Sequence, residues 1–196
     1  MANEIVPRWE WRAFGDSFGG SENPFAGYEP SGTQESDEIY LLSPDSSENV
    51  KVRDGLLDIK KFQRANADGL EQWKPVLKHG FPLPMAAVMS MFNVLGVTSP
   101  TLARGDYTLQ QLTDELVASV PGMRVVKVHK TRTRYTVDGC MSEIAQVAAD
   151  GKATRTIALE LEDAAKVIAA VRKLGLESYG NVSYPKGLKR LVGMTN

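Results

Sequence analysis

Three Asp-Gly pairs set the frame of this chain. Asp54-Gly55, Asp138-Gly139 and Asp150-Gly151 each separate two runs in which apolar and charged residues alternate. A two-residue Asp-Gly connection between alternating runs is the strongest short-range mark of a β-hairpin. The runs expected as strands are Asn49 to Arg53 and Leu57 to Phe62 around the first pair, then Arg124 to Val137, Cys140 to Ala148 and Ala153 to Glu162 around the other two. A first strand is expected from roughly Ile5 to Phe14, where Trp9 and Trp11 fall on one face and Arg8, Glu10 and Arg12 on the other. Another runs from Glu38 to Ser43, followed by the turn Ser43 to Ser47. Two antiparallel meanders result, one in each half of the chain.

Between them the period changes. Pro84 to Leu95 is apolar nearly all round, as in a buried helix. Leu109, Leu112, Leu116 and Val120 make a helical stripe behind Thr108, which with Gln111 forms a capping-box pattern. A helical insert at about 70–120 within one domain of residues 1–196 is therefore expected. Asp163 reads as the N-cap of a third helix carrying Val167, Ile168, Val171 and Leu174, with Gly175 just past its end. The tail from Leu176 to Val192 is expected to add a last strand and a short turn of helix. Gly15 to Gln34, with five glycines and two prolines, reads as a long loop.

Composition excludes several classes. The 196 residues carry 23 Lys+Arg against 24 Asp+Glu, and 42% are apolar, enough for a core and far from the signature of disorder. The near-neutral balance argues against nucleic acid as a partner. No apolar run approaches about 18 residues, and the start of the chain lacks a secretion signal, so a soluble, cytoplasmic protein with no membrane partner is the expectation. Cys140 stands alone, and His79 and His129 lie far apart, which leaves no zinc cage and no Cys/His nucleophile.

The most informative pattern is which face of each strand is charged. Same-parity residues share a face. Arg8, Glu10 and Arg12 go together, as do Lys51 with Arg53, Asp58 with Lys60, Lys130 with Arg132 and Arg134, and Glu160 with Glu162, while Glu143 stands in the strand between. A single charged strand face is ordinarily just solvated. Repeated over six strands, with apolar faces left to pack on helices, the pattern fits a sheet closed into a barrel whose charged side is its inside. About eight bases and five acids would then converge on one cavity. Arginines in that number suit a polyanion bearing several phosphates. The closely set carboxylates of Glu160 and Glu162 suit a hard cation such as Mg²⁺ or Mn²⁺.

In order along the chain, Glu10-x-Arg12, Lys51-x-Arg53, Lys60, the Lys130 to Gly139 strand and turn, Glu143, the Ala158 to Glu162 strand and Asn181-Val182-Ser183-Tyr184 with Lys186 resemble CYTH domains. This is the superfamily of class IV adenylate cyclases and thiamine triphosphatases, also called triphosphate tunnel metalloenzymes. The resemblance spans nearly the whole chain. It implies an α+β fold: an antiparallel eight-stranded β-barrel enclosing a triphosphate tunnel, with flanking helices. It also implies Mg²⁺ or Mn²⁺ held by Glu10, Glu160 and Glu162. Glu143 would be a further ligand or would orient the attacking water. Arg12, Lys51, Arg53, Lys60, Lys130, Arg132, Arg134 and Lys186 would bind phosphate oxygens, with Lys60 and Arg53 also stabilising charge on the leaving group.

The family's first strand usually reads Glu-x-Glu-x-Lys. Here it reads Arg8-Trp9-Glu10-Trp11-Arg12, so a base stands where the first acid is expected. The implied function is a metal-dependent phosphohydrolase acting on tripolyphosphate or on a nucleoside or thiamine triphosphate. The alternative, favoured by Arg8, is a non-catalytic polyphosphate- or nucleotide-binding module with a degenerate metal site. A homo-oligomer is compatible with either.

Overall fold

The three Asp-Gly pairs that separate those alternating runs turn as their sequence requires. Backbone φ is 53° and 72° at Asp54 and Gly55, 49° and 85° at Asp138 and Gly139, and 51° and 72° at Asp150 and Gly151. Positive φ at both central residues is the type I′ hairpin, whose twist matches that of its flanking strands. The computed structural model describes residues 6–194. It contains β1 (Arg8–Gly15), β2 (Gly32–Leu42), β3 (Asn49–Arg53), β4 (Leu56–Ala65), β5 (Glu71–Gly80), a short pair β6 (Leu83–Pro84) and β7 (Asp106–Tyr107), then β8 (Arg124–Val137), β9 (Cys140–Ala149) and β10 (Lys152–Leu161). Eight of these close into an antiparallel barrel in the order β1-β10-β9-β8-β2-β3-β4-β5, and β5 returns to β1 through the pairs Arg8–Trp73 and Glu10–Glu71.

Several boundaries differ from the sequence reading. The expected first residue of β1, Ile5, lies outside the described residues. Residues 71–80, expected within the helical insert, form a barrel strand instead. Pro75 sits in that strand at a register shift against Lys60, and the strand's mixed exposure hides the alternation. β2 begins at Gly32, six residues before expectation, because its outer half is polar on both faces. The glycine-rich loop contains a 3-10 segment, Gly19–Gly27, anchored by buried Phe18 and Phe25. The tail forms no last strand. Arg12 N donates to Asn181 Oδ1 at 2.8 Å and Val182 N donates to Arg12 O at 2.7 Å, so a side chain supplies half of a strand-like contact.

Helix α1 (Met85–Val94) and a helical turn running to Ser119 pack on the outer, apolar faces of β2, β3 and β4. The Thr108–Gln111 capping box forms reciprocally, at 2.9 and 3.2 Å. Helix α2 (Ala164–Lys173) is capped by Asp163, whose Oδ1 accepts from Ala165 N and Lys166 N. It covers Trp9, Trp11, Ile157 and Leu159 on the opposite wall. Helix α3 (Tyr184–Val192) differs from both: its Tyr184, Leu188 and Val192 pack with Tyr40, Leu42, Val126, Val128, Val147 and Ala149, which face into the barrel. It fits there because Gly187 lies against the Phe14 ring, where a Cβ would come within 2.3 Å of ring carbons. No helix among the described residues is long and apolar enough to cross a membrane.

Candidate functional site

The inward face of β8 changes character along its length. Val126 and Val128 belong to the cluster around α3, whereas Lys130, Arg132 and Arg134, at the same parity, line an open cavity of about 490 Å³. β9 mirrors this, from Ala149 and Val147 to Glu143. Tyr184 forms the floor between the two halves. Its ring stacks on Tyr40, with centroids 4.9 Å apart, and carries the Arg12 guanidinium and the Lys130 ammonium at 5.0 and 5.1 Å from its centroid.

All eight expected bases line the cavity: Arg8 and Arg12 from β1, Lys51 and Arg53 from β3, Lys60 from β4, and the three from β8. Four of the five expected acids join them, namely Glu10, Asp58, Glu143 and Glu160. The fifth, Glu162, lies beyond the end of β10 and is exposed, because the strand stops at Leu161 before the Asp163 cap. Lys186, on α3, does not line the cavity either; its Nζ is held by Glu71 Oε1 at 2.7 Å.

The buried acids are occupied by bases. Glu143 Oε1 accepts from Lys130 Nζ at 2.7 Å and Arg12 Nη1 at 3.1 Å, and Arg132 Nη1 stands 3.7 Å from its Oε2. Burial alone would raise the Glu143 carboxyl, but these charges hold it well below the usual carboxylate range. Glu10 is lowered in the same way, with burial opposed by Arg12 and Lys60. Burial pushes Lys130 down to about 8 despite Glu143, and lowers Lys51 and Arg132 too.

Two residues of β2 complete the site and were missed in the sequence. Glu38 has a fully buried side chain that accepts from Lys51 Nζ at 3.0 Å, Tyr40 Oη at 2.9 Å and Ser36 Oγ at 3.2 Å, with Arg53 at 3.8 Å. Burial would raise its carboxyl; Lys51 and Lys130 bring it to about 2. Gln34 Oε1 accepts from Arg132 and Arg134 at 2.7 and 2.8 Å, fixing both guanidinium groups. Glu38 was already the first residue of the expected strand and shares its parity with Tyr40, but Tyr40 and Leu42 are apolar, so that face carried no run of charge to mark it.

The residues present do not fit the expected divalent cation. Among the described residues no three carboxylate, imidazole or thiolate side chains converge. Glu10 and Glu160 are direct cross-strand partners, but Arg12 Nε holds Glu10 at 2.8 Å, while Arg8 and Lys60 stand 3.6 and 3.9 Å from Glu160. Arg12 also bridges Glu10 to Glu143. Glu10 and Glu143 are thus engaged by one guanidinium rather than left open to a cation.

No family model and no curated protein sequence matches the chain. Solved structures do. Protein PH1012 of Pyrococcus horikoshii OT3 aligns over 95% of this chain and 99% of its own, at 18% identity and a TM-score of 0.50. HpAC1 of Hippeastrum, assigned as an adenylyl cyclase and described as having a dominant triphosphatase activity, aligns over 96% and 97% at 10% identity and a TM-score of 0.52. A Bacillus halodurans protein assigned as an adenylate cyclase, bh2851, aligns over 95% and 98% at 10% identity and a TM-score of 0.51. With its closed eight-stranded antiparallel barrel and flanking helices, the chain has the CYTH-like fold.

Proposed function

We propose that the tunnel binds a triphosphate-class anion. The observation that supports this is the charge gathered around one cavity: eight bases against four lining carboxylates and the buried Glu38 beside Lys51 and Arg53. A triphosphate carries roughly one negative charge per phosphate and a further one at a terminal phosphate, enough to offset that excess. Arginine forks suit phosphate oxygens bidentately. Arg132 is held at Nη2 by Gln34, while its buried Nε has no hydrogen-bond partner. A donor left unmatched in a basic pocket costs free energy that an incoming phosphate oxygen would recover. The groups that hold the chain are Lys51, Arg53, Lys60, Lys130, Arg132 and Arg134.

Cleavage of a terminal phosphoanhydride by water is the second reading, favoured by the shared fold with HpAC1. In that case Arg53, one-quarter exposed and 3.8 Å from its buried acid, and Lys60, 3.9 Å from Glu160, are the loosely held cations that can follow charge onto the leaving phosphate. Glu143 acts here by positioning Arg12, Lys130 and Arg132. A carboxylate held that far below its ordinary range is too weak a base to activate water.

Calorimetric titration with tripolyphosphate, pyrophosphate, phosphate and sulfate tests the binding reading, and released phosphate is assayed on the same samples. The expected result is saturable binding tightest for tripolyphosphate, lost in an Arg132→Met, Lys130→Met double variant. Absence of tripolyphosphate binding, or equal affinity for sulfate, overturns it. Phosphate release from tripolyphosphate selects the hydrolase reading.

A further inference from the structure

We infer that the tunnel takes its phosphate chain as the metal-free anion, with Arg8 providing at the mouth the counter-charge that a divalent cation would otherwise bring. This rests on the proposed anion binding and goes beyond it by specifying the state of the ligand. Glu10 and Glu160 face one another on β1 and β10, and each already has a basic partner. The guanidinium of Arg8 lies on the same inward parity of β1, two residues from Glu10, and its Nη1 reaches Glu160 Oε1 at 3.6 Å. It is loosely held. Its side chain is nearly half exposed, and its other polar neighbour is the Met141 sulfur at 3.9 Å. An exposed ion pair of that length contributes little, so Arg8 can leave Glu160 for a phosphate at small cost.

A guanidinium and a divalent cation both neutralise phosphate, but they do it differently. The guanidinium offers a fixed fork of N–H donors and no open coordination position. A phosphate chain already wrapped around Mg²⁺ has its oxygens occupied and much of its charge cancelled, and it brings a cation toward eight bases. The cavity therefore favours the free anion over the complex. Opposite substitution at one position should reverse that preference: Arg8→Glu removes a base and sets a third carboxylate beside Glu10 and Glu160 on one wall, a set of oxygens suited to a hard cation.

The test titrates tripolyphosphate into the wild-type chain in EDTA and again with excess Mg²⁺, and records the Mn²⁺ electron paramagnetic resonance signal with protein alone. Expected are tight binding in EDTA, at least a fivefold weaker apparent affinity with Mg²⁺, and an undiminished free-Mn²⁺ signal. Arg8→Gln should weaken binding in EDTA about tenfold and create no Mn²⁺ site. Arg8→Glu should bind Mn²⁺ and recover tripolyphosphate binding only with metal. Wild-type binding that requires Mg²⁺, or a stoichiometric Mn²⁺ site in the wild type, overturns the inference while leaving anion binding in place. No tripolyphosphate binding in either buffer overturns both.

Discussion

The two halves of the barrel's interior are built from the same strands and do opposite work. Toward the Asp150-Gly151 turn, the inward residues of β8 and β9 are Val126, Val128, Val147 and Ala149, sealed by Tyr184, Leu188 and Val192 of α3. Toward the Asp138-Gly139 turn, the same faces become Lys130, Arg132, Arg134 and Glu143. One half buries apolar surface and stabilises the fold. The other holds like charges in a confined space, which costs stability unless acids or a ligand offset it. The contrast teaches that the apolar half, the two wall helices and α3 supply the cohesion of this barrel, while the polar half is tolerated only through the acids that pair its bases.

Removing the acid at the centre of the polar half should have the largest effect. Glu143→Ala leaves Lys130, Arg12 and Arg132 without their shared partner, and breaking a buried pair of this kind costs about 3–5 kcal/mol. Chemical denaturation should show that loss, and saturating tripolyphosphate should restore more stability to the variant than it adds to the wild type. Leu188→Ala attacks the other half. It should cost about 3 kcal/mol, measured as a lower Tm, with tripolyphosphate affinity unchanged while the chain is folded; a parallel loss of affinity would show that the halves are not separable.

Titration sharpens the same comparison. Lys130 has its pKa pushed down to about 8 in the folded protein, so it loses its charge as pH rises through that value. Anion affinity should fall above pH 8 by up to about tenfold per unit for one proton, and Lys130→Arg should abolish that fall. Glu38, lowered to about 2, works in the opposite sense: its stabilisation is complete above its unfolded value and is lost as pH falls from about 4.5 toward 2, an acid-side loss on the order of 3 kcal/mol. The smallest effect is expected from Gln34→Ala, which frees two guanidinium groups without removing them and should weaken tripolyphosphate binding a few-fold.

The sequence made the inner wall legible where alternation was clean. On β3 the bases alternate with valines, on the outer half of β8 they alternate with uncharged threonines, and Asp-Gly turns fix the register, so Lys51, Arg53, Lys130, Arg132 and Arg134 could be placed on one face. β5 was hidden because Pro75 and a register shift break its period. Gln34 was hidden because the first half of β2 is polar on both sides, and polarity alone does not say which side faces in; Glu38 lay within the expected strand, but its parity continues as apolar Tyr40 and Leu42, so no charged face stood out. Glu162 was misplaced for the opposite reason. Its parity was right, but β10 ended one residue sooner, and parity has no meaning past the end of a strand. The excess of base over acid could be counted from the chain, whereas the engagement of each acid by a guanidinium or ammonium could only be seen in three dimensions.

Tyr184 and the helix behind it give the bore a floor. A bore stopped at one end cannot be threaded: a polymer has nowhere to go once its tip reaches the tyrosine. Such a site grips termini and ignores the middle of a chain, and its depth works as a gauge. On the proposed reading, phosphates within reach of the arginines would be held, those beyond them would remain in solvent, and whatever enters would leave by the mouth through which it came.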